Sequence, residues 1–189
     1  IGYDHHFGRN REGSFEHLKE YAPIYGFEVE EIPAQEVQQI NISSTKIRNS
    51  LINGEINAAN QFLGYHYSIT GTVVKGNKVG RKIGFPTANI KVKDWYKLIP
   101  KQGVYAVKVF IDDKSFNGML NIGTRPTLNG NNETIEVNIF NFNENIYNKN
   151  INIAFYERIR DEQNFNTLSL LKEQLIMDKM NVNTVLDEV

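Results

Sequence analysis

The stretch GVYAVKVFIDDKSFNGMLNIG, residues 103–123, consists of two short runs of alternating residues separated by a turn. Comparable runs lie before and after it: YSITGTVV begins at Tyr67, ETIEVNIFNF at Glu133 and INIAFYERI at Ile151. Alternation with a period of two is typical of strands that bury one face. Five or six such strands in succession predict a small antiparallel barrel or sandwich.

Helical patterns lie on both sides of these strands. From Thr167 to Met180 the apolar residues share one face, which predicts a helix that packs against the barrel; they are Leu168, Leu171, Leu175 and Ile176. Before the strands, the sequence predicts three helices and one strand. The first helix covers Ser14 to Tyr21, the second starts at Ser44 and ends before Gly54, and the third runs from Glu55 to Leu63. The strand covers Phe27 to Ile32.

The pattern changes near Gly64 to Tyr67, which predicts two domains, residues 1–64 and 65–189. The first residues, IGYDHHFG, include no initiator methionine and open in the middle of a pattern. We therefore interpret the chain as an excised fragment.

Composition narrows the classes of function. Lysine and arginine number 21 against 22 acidic residues, and this balance argues against a broad nucleic-acid-binding surface. No apolar stretch is long enough to predict a membrane span, and no secretory signal begins the sequence. The lack of cysteine fits a reducing cytoplasm. We expect a cytoplasmic protein with small-molecule substrates and with no nucleic-acid, membrane or obligatory protein partner.

The stretch GTVVKGNKVGRKIGFPTANI, residues 71–90, has the strongest chemical signal. Glycine allows backbone N–H groups to approach phosphate oxygens, and basic side chains supply countercharge. Candidates for a phosphate-binding loop are Gly76, Lys78, Gly80, Arg81, Lys82 and Gly84. An ordinary basic, solvated hairpin loop would have the same composition, so both interpretations stay open.

Pro86 restricts the backbone before Thr87, and Asn89 lies two residues further along an extended segment. A hydroxyl and an amide oxygen on one side could hold a Mg²⁺ ion that is otherwise coordinated by phosphates and water. An ordinary turn after proline is the alternative.

The loop that runs into GFPTAN resembles the signature of riboflavin kinases, including the kinase half of bacterial bifunctional riboflavin kinase/FAD synthetases. Further blocks resemble the family in the same order: GVYAVKV, NIGTRPT, IEVNIFNF and RIRDEQNFNTLSLLKEQLIMD. The resemblance implies an α+β chain. Its main part would be a small antiparallel Greek-key β-barrel with a C-terminal helix, preceded by an incomplete α/β nucleotidyltransferase piece.

The resemblance also implies roles. Thr87 and Asn89 match the family's magnesium- and nucleotide-contacting pair, and residues 76–84 match the loop that folds over ATP. Glu136 matches the catalytic base, although a solvent-facing strand glutamate would fit the same pattern. Residues 154–168 resemble a flap beside the flavin, where Arg160 is expected to donate to flavin or to the product phosphate.

The segments GYDHHFGRNREG and ISSTKIR resemble motifs of the FMN adenylyltransferase half of the bifunctional enzymes. In the second segment Ser43, Ser44 and Thr45 stand at a predicted helix start, with Arg48 one turn in. The family's HxGH motif does not occur, since His5 and His6 are adjacent. We therefore expect that this chain does not adenylylate FMN, although its full-length parent would.

The sequence favours an enzyme, a riboflavin kinase that uses ATP and magnesium to convert riboflavin to FMN. A non-catalytic flavin- or nucleotide-binding β-barrel is the first alternative. An oligonucleotide-binding barrel is the second, because small Greek-key barrels often serve that purpose.

Overall fold

A computed structural model describes residues 6–31, 36–37, 40–76, 79–127 and 130–187 of the chain. The chain divides into two compact units, Ile1–Ser43 and Ser44–Val189.

The first unit contains helix α1, Phe15–Tyr25, and two short paired strands, β1 (Glu36–Val37) and β2 (Ile40–Asn41). Ser14 caps α1, and its backbone N–H donates to His17 Nδ1 at 3.2 Å. The strand predicted for Phe27 to Ile32 is wrong over residues 27–31, which form no strand; Ile32 lies outside the described residues. Alternation indicates a strand only where a partner supplies the hydrogen bonds, and no described residue pairs with this segment.

The second unit begins with two helices and continues into the barrel. Helices α2 and α3 cover Ser44–Asn53 and Ile56–Leu63, and the helices were predicted within one residue of these bounds. Six strands and two more helices follow: β3 Ser68–Val74, α4 Val79–Lys82, β4 Ala88–Val92, β5 Gly103–Ile111, β6 Lys114–Thr127, β7 Gly130–Ile139, β8 Asn150–Arg160 and α5 Leu168–Asp187.

The six strands close into an antiparallel barrel in the order β3-β4-β7-β6-β5-β8. Strands β5, β6 and β7 pair consecutively, and β8 returns beside β5, which is the Greek-key arrangement. The predicted Greek-key barrel is therefore confirmed. Strand β4 was not among the predicted runs, because Pro86 and the glycine loop obscure its short alternation.

One face of the barrel strands is buried in the barrel interior, and part of the other face packs against α5. Inner residues such as Val107, Leu120 and Val137 belong to the main core cluster. Ala106 and Met119, each next to one of these, face outward and join a second cluster. That cluster also contains Phe140 and, from α5, Val182 and Leu186. Helix α5 therefore packs on the outside of the barrel.

The predicted apolar stripe of α5 is only partly correct. Leu168 and Ile176 are 53% and 45% exposed, whereas Asp178, Val182 and Leu186 are buried. The helix continues to Asp187, so the residues that dock it lie closer to its C-terminus than the prediction assumed. Among the described helices, α5 included, none has the length and apolar character needed to cross a membrane.

Helices α2 and α3 belong to the same compact unit as the barrel. The amide of Asn60 in α3 donates from Nδ2 to the Phe155 carbonyl at 2.9 Å and accepts from the Tyr67 N–H at 2.7 Å. Leu51 and Ile56 join the barrel core. The predicted boundary between residues 64 and 65 therefore lies inside one compact unit. The sequence of an amphipathic helix shows that one of its faces is buried, but it does not show which element packs against that face. As a division between family domains it stays a prediction.

Candidate active site

The candidate site lies where β4 meets β7. Their pairing is short and brings Ala88 opposite Val137 and Asn89 opposite Glu136. Just before β4, Thr87 Oγ1 donates a hydrogen bond to Glu136 Oε2 at 2.9 Å. Two residues 49 positions apart, singled out separately in the sequence, are therefore in direct contact.

Strand alternation sets which side chains reach this point. Ile135, Val137 and Ile139 are buried in the barrel core, as the sequence predicts. Glu136 and Asn138 consequently face outward from β7. The Asn138 side chain donates from Nδ2 to the Pro86 carbonyl oxygen at 2.6 Å and is only 6% exposed.

Two cavities meet at Thr87. The first has a volume of about 330 Å³ and is lined by Val73, Arg81, Pro86, Thr87, Ala88, Val137, Ile139, Phe142, Asn143, Glu144, Asn145, Ile146 and Tyr147. The second has a volume of about 290 Å³ and contains Glu136. Because Thr87 lines both cavities, ligands in the two spaces would both lie beside this residue.

The second cavity lies between the outer barrel wall, the residues after β8 and α5. Its apolar lining includes Phe85, Met119, Phe165, Leu171 and Leu175. The polar residues of its lining are Asn121, Glu136, Asn138, Arg160, Glu162 and Gln163, with Thr87 at the boundary. A flat apolar ring system with a polar edge fits such a lining.

Part of the basic glycine segment is helical. Its residues Val79–Lys82 form the helical turn α4, after which the Phe85 N–H donates to the Gly80 carbonyl at 2.9 Å. Gly84 has a φ of +88°, a conformation that favours glycine. Arg81 lines the first cavity, as a phosphate-binding role requires. Lys78 lies outside the described residues.

Arg160 lines the second cavity, yet most of its donors are engaged within the protein. Its Nε and Nη2 donate to the Asp178 carboxylate at 2.9 and 2.7 Å, and Nη1 donates to the Asp161 carbonyl at 2.9 Å. Gln174 also donates to Asp178, at 2.9 Å. Arg160 therefore ties the end of β8 to α5, and its direct contact with a ligand stays a prediction.

Sequence reasoning did not assign roles to two residues of this region. Because strand side chains alternate, Asn138 shares the face of Glu136, and that shared face was the available signal. Asp178 lies on the face of α5 that also carries Leu171, Leu175 and Val182, at helical spacing. An acidic residue within an apolar stripe indicates a buried partner.

Comparison with protein families gives two matches. The sequence model of the family described as riboflavin kinase matches residues 63–186. The model of the family described as FAD synthetase matches residues 1–46.

Individual relatives are similar over most of this chain. A bifunctional riboflavin kinase/FMN adenylyltransferase from Haemophilus influenzae is 42% identical over 179 residues, which are 94% of this chain and 58% of the relative. The protein of the same description from Bacillus subtilis is 45% identical over 145 residues, 75% of this chain and 46% of the relative. The chain thus spans about half the length of the curated relatives it matches.

A solved structure from Streptococcus pneumoniae, described as a macrolide-efflux protein, has a TM-score of 0.88 and 36% identity. The match covers 96% of this chain and 58% of that one. The barrel and its helices therefore have a close experimental counterpart.

Proposed function

Because the chain belongs to the riboflavin kinase family, whose sequence model spans residues 63–186, we propose that it transfers the γ-phosphoryl group of ATP to the 5′-hydroxyl of riboflavin. The products would be FMN and ADP. The main support is the contact between Thr87 and Glu136 at the boundary of two cavities. ATP would occupy the first cavity, which Arg81 lines, and riboflavin the apolar second one.

Glu136 is proposed as the catalytic base. Its carboxylate lies in the flavin-side cavity and accepts a proton from the riboflavin 5′-hydroxyl as that oxygen attacks the γ-phosphorus. The bond from the γ-phosphorus to the bridging oxygen breaks, and that oxygen leaves with ADP. Phosphoryl transfer passes through a loose transition state, so positioning and charge neutralisation should contribute more than proton removal.

Thr87 and Asn89 are proposed to hold a magnesium ion. The Thr87 hydroxyl directs its hydrogen to Glu136, which leaves oxygen lone pairs for a cation. Hydroxyl and amide oxygens suit Mg²⁺, which in nucleotide sites takes most of its ligands from phosphate and water. Among the described residues, no group of three or more acidic or histidine side chains could hold a metal. When bound, magnesium offsets the charge of the phosphates.

The remaining assignments follow the family. The loop of residues 76–84, with Lys78 and Arg81 as countercharges, is proposed to close over ATP, and Arg160 to donate to flavin or to the product phosphate. Residues 1–64 are proposed to derive from an FMN adenylyltransferase domain, in keeping with the FAD synthetase match over residues 1–46. We also propose a cytoplasmic location. The non-catalytic binding alternative is disfavoured by the family membership.

Incubation of the chain with riboflavin, ATP and Mg²⁺, followed by chromatography of the flavins, tests this function. The expected outcome is magnesium-dependent FMN with one ADP per FMN and no FAD. Flavin binding without ADP release would support the non-catalytic alternative and contradict the proposal. Omission of magnesium is the matched control.

Replacement of Gly76 by alanine is expected to lower kcat about 10- to 100-fold, because small displacements of positioning groups carry large kinetic costs. A Cβ at residue 76 would lie 2.5 Å from Asn89 Cγ, so the amide proposed to face magnesium would have to move. Steady-state kinetics measures the effect. In an Asn89→Ala background, Gly76→Ala should lower kcat little further, because the amide that the new Cβ would displace is absent. Additive losses would contradict this explanation.

A further inference from the structure

Asn138 makes a hydrogen bond that neither the sequence motifs nor the family roles require. Its amide donates to the Pro86 carbonyl at 2.6 Å across the junction of β7 with the segment before β4. The residue is almost fully buried and lines the second cavity. A buried amide bonded to backbone usually fixes the chain it contacts.

The bond lies where the strand ladder stops. Pairing of β4 with β7 ends at Ala88 opposite Val137, and Pro86 has no N–H with which to extend it. At this point the Asn138 side chain donates a hydrogen bond to the Pro86 carbonyl. It therefore supplies a hydrogen bond between β7 and the residue two positions before Ala88, beyond the last paired residues of the two strands.

This bond constrains Thr87 as well. The peptide group between Pro86 and Thr87 is planar, so a fixed carbonyl on one side sets the orientation of the residue that follows. Two outward-facing residues of β7 then hold consecutive positions: Asn138 holds the Pro86 backbone, and Glu136 accepts from the Thr87 hydroxyl.

We propose that Asn138 is a positioning residue for phosphoryl transfer, which holds Thr87 at the boundary of the two cavities through the Pro86 carbonyl. This inference rests on the proposed kinase function. It assigns Asn138 no contact with reacting atoms. Its loss should therefore lower kcat while both substrates still bind.

Asn138→Asp is the direct test, because aspartate keeps the size and branching of asparagine but loses the N–H donor. We expect kcat for FMN formation to fall about 10- to 100-fold, with KM for ATP and riboflavin changed less than about threefold. Asn138→His retains an N–H donor at the same branch point of the side chain and should recover most of the loss.

Two controls separate positioning from general destabilisation. Asn152 is also a strand asparagine whose Nδ2 donates a hydrogen bond, at 3.0 Å to Thr70 Oγ1, away from both cavities. Asn152→Asp should leave kcat unchanged. In a Thr87→Ala background, Asn138→Asp should lower kcat much less than it does in the wild type, because the residue that Asn138 positions is already altered.

Hydrogen–deuterium exchange gives a readout that needs no activity. Backbone exchange in residues 85–88 should accelerate in Asn138→Asp and not in Asn152→Asp. Unchanged exchange, or unchanged kcat in an active enzyme, would overturn the inference. If the wild-type chain forms no FMN, the proposed function fails, and the exchange comparison still decides whether Asn138 holds this segment.

Discussion

Replacement of Glu136 by glutamine should slow the chemical step about 10²- to 10⁴-fold while ATP still binds. Glutamine has the same shape and keeps a side-chain oxygen that can accept the 2.9 Å hydrogen bond from Thr87. The substitution therefore removes the proton acceptor with little change in the local structure. Single-turnover conversion of riboflavin to FMN measures the chemical step, and calorimetry with ATP and Mg²⁺ measures nucleotide binding.

Glu133→Gln is the matched control, because Glu133 lies on the same strand and does not line either cavity that meets at Thr87. Its turnover should equal that of the wild type. If Glu136→Gln also turned over at the wild-type rate, Glu136 would have no role as a base. A loss of ATP binding in that variant would instead indicate that the carboxylate organises the nucleotide site.

The largest effect on stability is expected at Asp178. This carboxylate is 0% exposed, and its principal partner is the Arg160 guanidinium at 2.7 Å. Replacing Asp178 by alanine leaves a largely buried cation without its countercharge, which typically costs about 3 to 5 kcal/mol of unfolding free energy. Urea unfolding followed by circular dichroism measures the change.

Asp112→Asn is the comparison for an exposed ion pair. Asp112 accepts from Lys149 at 2.8 Å, but its side chain is 70% exposed, so little change in stability is expected. Replacing both Arg160 and Asp178 by leucine should recover much of the stability lost in Asp178→Ala, because no unpaired charge remains. Equal losses in the single and double variants would contradict a charge-based explanation.

Several features could be predicted from local sequence because they depend on local periodicity. The outward position of Glu136 follows from the buried residues on either side of it. The helix start near Ser44 follows from capping chemistry, and the helix that begins near Thr167 follows from its apolar periodicity. The failures share a cause. Strand β4, the docking face of α5 and the packing of α2 and α3 on the barrel depend on which distant segment lies opposite.

The candidate site shows the same division. The glycine-rich loop, Thr87, Asn89 and Glu136 could be selected from their residue types and from the family resemblance. The bonds of Asn138 to Pro86 and of Asp178 to Arg160 could not, since asparagine in a strand and aspartate in a helix have many possible partners.

The sequence by itself determined the antiparallel barrel, its terminal helix and the family, because strand alternation and the order of motifs are patterns of consecutive residues. Only the tertiary structure decided that the start of β4 pairs with β7, that Thr87 contacts Glu136 across 49 residues, and that α5 is held by a buried ion pair. Such contacts join residues far apart in the chain. Their geometry depends on barrel closure, in which every strand pairing constrains the others.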